Sequence, residues 1–189
     1  MLFIFTGVVG FISLFCFDMA SLKERLFLKR AAFIAGHGIL VFSSIMVVIS
    51  PDKIELSPVF KIIGPVFSFV FFLILIYSIF IEIPIKNTFI QQNRNNVLVK
   101  TGTYGLVRHP GVLWYVFFLL GLFLMTGSKT LLFALPVWSA VDIIYIILQE
   151  RFIFIKMFGE EYRKYQKEVP ILIPTLKSIK KCISTFNRG

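Results

Sequence analysis

Apolar residues run through this chain in long blocks rather than in alternation. Leu2 to Phe17 is almost unbroken, and it is followed by Ala31 to Ile49, by Val59 to about Ile85, by a stretch from His109-Pro110 to Met125, and by Thr130 to Gln149. One helical crossing of a bilayer takes about 20 predominantly apolar residues. The blocks therefore predict an all-α, polytopic membrane protein with about five transmembrane helices. The punctuation between blocks agrees with that reading. Ser50-Pro51 closes the second block, because proline biases the residue before it away from helical geometry. Pro110 suits the first turn of a helix, where its missing N–H leaves no bond unmade. Thr126-Gly127-Ser128-Lys129 reads as a tight turn that folds the last two spans into an antiparallel hairpin.

The polar remainder is distributed unevenly. Lys23, Glu24, Arg25, Lys29 and Arg30 lie between the first two spans, and Lys86 to Arg108 is the longest polar stretch before the tail. Of the 20 Lys and Arg residues, only Lys53, Lys61 and Lys129 fall on the opposite side of the membrane from the rest. By the positive-inside rule, the N-terminus is expected outside and the C-terminus in the cytoplasm. Arg151 to Val169 spaces Phe152, Ile155, Phe158, Tyr162 and Tyr165 at near-helical intervals and is interrupted by Gly159, which predicts an amphipathic helix or helix pair on the cytoplasmic face. From Lys177 to Arg188 the pattern recurs, with Leu176, Ile179, Ile183 and Phe186 on one side and Lys177, Lys180 and Lys181 on the other. Such a basic tail is expected to bind anionic lipid. The chain divides accordingly into helices one to three with their cytoplasmic loop (1–100), a hairpin with its amphipathic helix (101–174), and a basic interfacial tail (175–189).

Composition sharpens the class. The chain has 189 residues, 57% of them apolar and 16% charged, and a mean hydropathy of +0.85, which together exclude a soluble globule. The net charge of +10 follows from the basic flanks of membrane segments, and without a basic face interleaved with aromatics no nucleic-acid partner is expected. Cys16 and Cys182 lie at opposite ends of the chain, so neither a disulfide framework nor a thiolate metal cluster is available, and no metal site is expected. The N-terminus has no basic start, and the first block ends in Phe17-Asp18-Met19, so this block is expected to stay as a membrane helix rather than be cleaved.

Candidate chemistry collects toward the cytoplasmic side. Thr101-Gly102-Thr103-Tyr104-Gly105-Leu106-Val107-Arg108-His109-Pro110 is the densest polar stretch. Its glycines allow a sharp backbone turn, Arg108 supplies a permanent planar cation, and His109-Pro110 opens a helix whose free N–H groups suit a carboxylate or phosphate. Asp142 and His37 are expected at similar depth in their helices, where a carboxylate facing an imidazole would lower the cost of burying either. Gly36 and Gly38 beside His37 point to close helix packing.

Gly102, Tyr104 and Arg108-His109-Pro110, then an apolar hairpin, then Glu150, Phe158-Gly159, Tyr162, Tyr165, Val169-Pro170 and Ile173-Pro174 resemble the C-terminal signature of the isoprenylcysteine carboxyl methyltransferase and phospholipid methyltransferase superfamily. Some NnrU-like character lies in the Leu113-Trp114 that follows the Arg-His-Pro. The resemblance spans Gly102 to Pro174. It departs from the usual pattern at Thr103, where proline is common, at Val112, where a tyrosine is, and at Gln149, where a second glutamate is. It implies an integral membrane methyltransferase that uses S-adenosylmethionine. Its cofactor contacts would be Gly102, Tyr104, Val107, Arg108, His109, Pro110, Glu150, Tyr162 and Tyr165, with Arg108 and Glu150 as the catalytic pair. Arg108 and the N–H groups near His109 and Pro110 would then hold a carboxylate, and Glu150 the cofactor's amine or ribose hydroxyls. The acceptor would be a lipidic or small apolar molecule entering from the bilayer, such as a prenylcysteine carboxylate, a phospholipid amine or a thiol. The alternative is an inactive family member serving as a membrane scaffold or binding protein. The residues leave the oligomeric state open.

Overall fold

A computed structural model of the chain describes residues 1–23, 25–83 and 97–186, the side chain of Phe186 excepted. The expected end of the third span near Ile85 and the polar stretch as far as Asn96 lie outside the described residues, as does Arg188.

Nine α-helices follow in order among the described residues: α1 (Leu2–Leu22), α2 (Leu26–Val48), α3 (Pro58–Ile76), α4 (Thr103–Leu106), α5 (Pro110–Thr126), α6 (Lys129–Gln149), α7 (Ile155–Phe158), α8 (Glu160–Glu168) and α9 (Leu176–Phe186). Within the described residues, π-helical turns at Tyr77–Ile81 and Glu150–Phe154 extend α3 and α6. Among the described residues there is no strand, and the one isolated bridge joins Lys53 to Ser128. Four helical stretches, Leu2–Leu22, Leu26–Val48, Pro58–Ile81 and Lys129–Phe158, are long and apolar enough to cross a membrane. The fifth, α5, has 17 residues and at 1.5 Å per residue reaches about 25 Å, near the lower limit for a crossing. This is an all-α integral membrane protein.

The first two helices run further than the apolar blocks suggest. The connection between them shrinks to residues 23–25, because α1 continues through Asp18 to Leu22 and α2 takes Lys29 and Arg30 into its first turns. Lys29 and Arg30 do not break α2, because long basic side chains can reach the headgroups from helical backbone, and Asp18 is bonded inside the bundle by Tyr145 and Gln149.

Small residues decide which helices meet. A Cβ at Gly7 would overlap the Trp138 indole, whose Nε1 donates to the Ile4 carbonyl at 2.9 Å, so α1 packs directly on α6. Gly10 and Gly36 let α1 and α2 approach through Leu40 and Leu14. Gly38 has no atom within 4 Å of its Cβ position, so of the two glycines beside His37 only Gly36 serves packing. Gly64 and Gly121 bring α3 against α5, backbone to backbone. The α5–α6 turn is closed by Gly127 at φ 64° and by Ser128, whose hydroxyl oxygen accepts the Leu131 N–H at 3.2 Å as an N-cap. That turn is tied to the α2–α3 loop through Ile54 N–H to the Gly127 carbonyl (2.7 Å) and Lys129 N–H to the Asp52 carbonyl (2.9 Å). With this end of the bundle laced together, α4 and the residues after Gln149 lie at the other.

Candidate active site

Two chain segments far apart in sequence build the polar centre. The first is the run from Gly102 to Pro110. Its end pairs by backbone with the segment after α8: Arg108 N–H donates to the Pro170 carbonyl at 2.9 Å and His109 N–H to the Ile171 carbonyl at 3.2 Å. These two donors are therefore engaged within the protein, and the free helix-start amides expected for anion binding are not found at them. Val107 and Pro110 are fully buried and serve as packing on either side of the Arg-His pair.

The second segment begins at Glu150, where the π turn carries the helix out of α6. Leu131, Ala134, Trp138, Asp142, Ile146 and Glu150 form the buried stripe of this helix. Regular helical spacing thus delivers Glu150 to the inside at the end of the helix away from the α5–α6 turn. Arg108 grips it with a fork, Nε to Oε1 at 2.7 Å and Nη2 to Oε2 at 3.1 Å. His109 Nε2 lies 2.9 Å from Oε1, and because a carboxylate only accepts, this nitrogen carries the proton. Tyr162 hydroxyl donates to Oε1 at 2.9 Å and Gln166 Nε2 to Oε2 at 2.8 Å. Five donors converge on one carboxylate, which fills the roughly four lone-pair sites of its two oxygens and makes at least one of them shared. Arg108 also donates through Nη1 to the carbonyls of Val169 (2.6 Å) and Gln166 (3.1 Å). Among the described residues, one Nη2 N–H is then left over from the five that a guanidinium carries.

Aromatic rings wall this centre. His109 stacks on Phe154 at 6.0 Å and 14°, Phe158 on Tyr162 at 6.4 Å and 24°, and Tyr162 meets Tyr165 edge-on. Tyr165 hydroxyl donates to the Tyr104 carbonyl at 2.6 Å, joining α8 to α4. Burial pushes the Tyr104, Tyr162 and Tyr165 phenols well above their usual range, so they stay neutral, and those of Tyr162 and Tyr165 serve as donors. Burial also lowers the His109 imidazole, against the opposing pull of Glu150.

The structure thus brings Arg108, His109, Glu150 and Tyr162 into direct contact, with Tyr165 against Tyr162 and Tyr104 joined to Tyr165. Gly102 sits apart at the start of α4 with φ 58°. The expected His37–Asp142 pair is not formed. His37 Nδ1 lies 2.9 Å from the Phe33 carbonyl on its own helix, and Asp142, 6% exposed, has no ion-pair partner among the described residues. The carboxylate that does find partners is Asp18, which accepts from Tyr145 hydroxyl at 2.6 Å and from Gln149 Nε2 at 2.8 Å. Sequence reasoning missed Gln166, although its position four residues after Tyr162 marks the same helical face. It also gave no partner to Glu82 or Thr103, which meet across 21 residues of sequence, beyond the reach of any local pattern.

An all-helical membrane bundle that gathers an Arg–His–Glu cluster at one end defines the class. The chain belongs to the phospholipid methyltransferase family, whose model matches residues 60–161 and so includes Arg108, His109 and Glu150. Over 88 residues, 46% of this chain, it is 33% identical to the protein-S-isoprenylcysteine O-methyltransferase of Schizosaccharomyces pombe, covering 36% of that protein. Over 90 residues, 48% of this chain, it is 28% identical to the Xenopus laevis protein-S-isoprenylcysteine O-methyltransferase, covering 31% of it. The matched stretch spans about a third of the length of these curated relatives. No solved structure matches the chain.

Proposed function

We propose that this protein is a membrane methyltransferase that takes its methyl group from S-adenosylmethionine and passes it to a lipidic or small apolar acceptor at the cytoplasmic interface. The observation that carries this reading is the coincidence of the family match with the Arg108–His109–Glu150 centre. The donor set fits such a cofactor in kind. The remaining Nη2 N–H of Arg108 suits a carboxylate, and the rings of Phe154, Phe158, Tyr104, Tyr162 and Tyr165 suit a purine face. When bound, S-adenosylmethionine would supply an electrophilic methyl on a sulfonium, open to in-line attack at carbon with the neutral thioether of S-adenosylhomocysteine as the leaving group.

The protein's own part is orientation and exclusion of water, and positioning of that kind supplies much of the rate in such transfers. Glu150 holds the guanidinium of Arg108 at a fixed angle through two parallel bonds. A ligand amine or hydroxyl that reaches Glu150 itself does so in exchange for Gln166 or Tyr162, since both oxygens are occupied. The acceptor enters from the bilayer, and the basic side of the molecule, including the C-terminus, faces the cytoplasm with the N-terminus outside.

A second reading, a scaffold or binding protein of the same family, draws on the completeness of the Glu150 network, which is satisfied without any ligand. Calorimetry of S-adenosylmethionine and S-adenosylhomocysteine against the detergent-purified chain separates the two. Saturable binding that Arg108→Ala abolishes, in a variant that still elutes as a folded monodisperse species, supports the methyltransferase. Absence of binding to the folded wild-type chain supports the scaffold.

A further inference from the structure

Glu82 follows the π turn that ends α3, and its carboxylate is half-buried with no cation at ion-pair distance among the described residues. Both of its oxygens are instead taken by one residue. Thr103 N–H donates to Oε1 at 2.8 Å, and the Thr103 hydroxyl, which lies 3.0 Å from Ser78 Oγ, donates to Oε2. A Cβ at position 102 would collide with Oε1, so only glycine admits the carboxylate there, and Gly102 also has the positive φ of 58° that glycine tolerates. On the other side, Gly102 N–H donates to Thr185 Oγ1 of α9 at 3.0 Å. Burial raises the Glu82 carboxyl against the two bonds from Thr103, so a price in desolvation is met for holding this turn.

What the turn leads into gives the contact its meaning. From Thr103 the chain makes one helical turn, offers the Tyr104 carbonyl to Tyr165, buries Val107 and delivers Arg108 to Glu150. Glu82 thus fixes the near end of the run whose far end is the Arg108 guanidinium. Where the family resemblance has a rigid proline, this chain has Thr103, whose N–H and hydroxyl are the two groups Glu82 binds. A proline at that position would bring neither donor and would restrict the backbone by its ring.

We propose that Glu82 is a positioning residue of the methyl-transfer site, locking the 101–104 turn to the end of α3 so that Arg108 meets its ligand in the required place. This inference rests on the methyltransferase reading, and the experiment keeps the two apart. The full chain in detergent is compared with Glu82→Ala, Glu82→Gln, Thr103→Pro and Glu82→Ala/Thr103→Pro. S-adenosylhomocysteine affinity is read by calorimetry, folding by thermal unfolding, and backbone opening by hydrogen exchange at residues 102–109. Glu82→Ala is expected to weaken binding by about 10- to 100-fold and to speed exchange at Arg108 and His109. Glu82→Gln, which keeps an oxygen for the Thr103 N–H, is expected to recover most of the affinity, and the double variant to bind more tightly than Glu82→Ala alone.

A Glu82→Ala protein of lowered thermal stability but unchanged affinity overturns the proposal, because that is what a merely structural contact gives. So does a double variant no better than Glu82→Ala. If the wild-type chain binds no ligand, the methyltransferase reading fails by itself, and the exchange data then decide: unchanged exchange at Arg108 and His109 in Glu82→Ala overturns the positioning claim as well.

Discussion

Glu150 shows how much one buried carboxylate can organise. Its partners come from positions 108, 109, 162 and 166, so the loss of its charge is felt differently from the loss of any single donor. Glu150→Gln leaves the Arg108 cation without its counter-charge in a site where its side chain is 11% exposed. The expected cost is about 3–5 kcal/mol of stability. Tyr162→Phe removes one donor of five and is expected to cost about 1 kcal/mol. Thermal unfolding of the two variants in one detergent checks the ratio; similar losses would mean that the carboxylate is not the hub. His109 adds a pH dependence whose sign follows from its environment. Burial holds the native imidazole below its usual range, so on acidification through about pH 6.5 the unfolded chain takes up the proton first. The folded state therefore loses stability as pH falls, by at most about 1.4 kcal/mol per pH unit, until the native imidazole is protonated too. His109→Gln is expected to flatten the thermal midpoint between about pH 7.5 and 5.5 relative to wild type, and parallel curves would refute the assignment.

At the scale of elements, helix contacts are set by where side chains are missing. Gly121 lets the backbone of α5 lie against Ser68 of α3, whose hydroxyl donates to the Phe118 carbonyl at 3.4 Å. Gly121→Val should cost about 1–3 kcal/mol by overpacking, whereas Gly38→Val, with open space at its Cβ, should be close to neutral. Unfolding midpoints of the pair test whether the α3–α5 contact is as tight as described. The same contrast shows what the sequence discloses. Span existence was legible because a crossing needs a run of fixed length, and the breaks at Ser50-Pro51, Gly127-Ser128 and Gly159 have local causes in proline geometry, capping and positive φ. The Arg108, His109 and Glu150 positions were legible through family resemblance. Which face meets which was not. Depth counting placed His37 level with Asp142, yet the contacts formed are Asp18 to Tyr145 and Gln149. Helical period fixes the face a residue takes on its own helix and leaves the rotation of the neighbour undetermined. Glu82 and Thr103 stayed hidden for the same reason.

At the scale of the whole molecule, α9 is the part that is free to report on the membrane surface. Its inner face, with Ser178 buried and Cys182 against Gly105, packs on α4, and Thr185 accepts the Gly102 N–H beside the Glu82 contact. Its outer face presents Leu176, Ile179 and Ile183, which with Ile173 are exposed apolar residues at helical spacing. Lys181 is drawn inward to Glu168 at 2.8 Å, while Lys177 and Lys180 lie on the exposed side. We propose that a helix so arranged lies in the interface of an anionic leaflet, where each cation would contribute about 1 kcal/mol near the surface. Lys177→Glu/Lys180→Glu therefore reverses an attraction without touching the face that packs on α4. With an environment-sensitive fluorophore at Ile183→Cys, the wild-type background in anionic nanodiscs should give an apolar emission that shifts toward water in the double variant and with rising salt. In zwitterionic nanodiscs both proteins should look alike. Emission independent of lipid charge would mean that α9 is held by α4 alone.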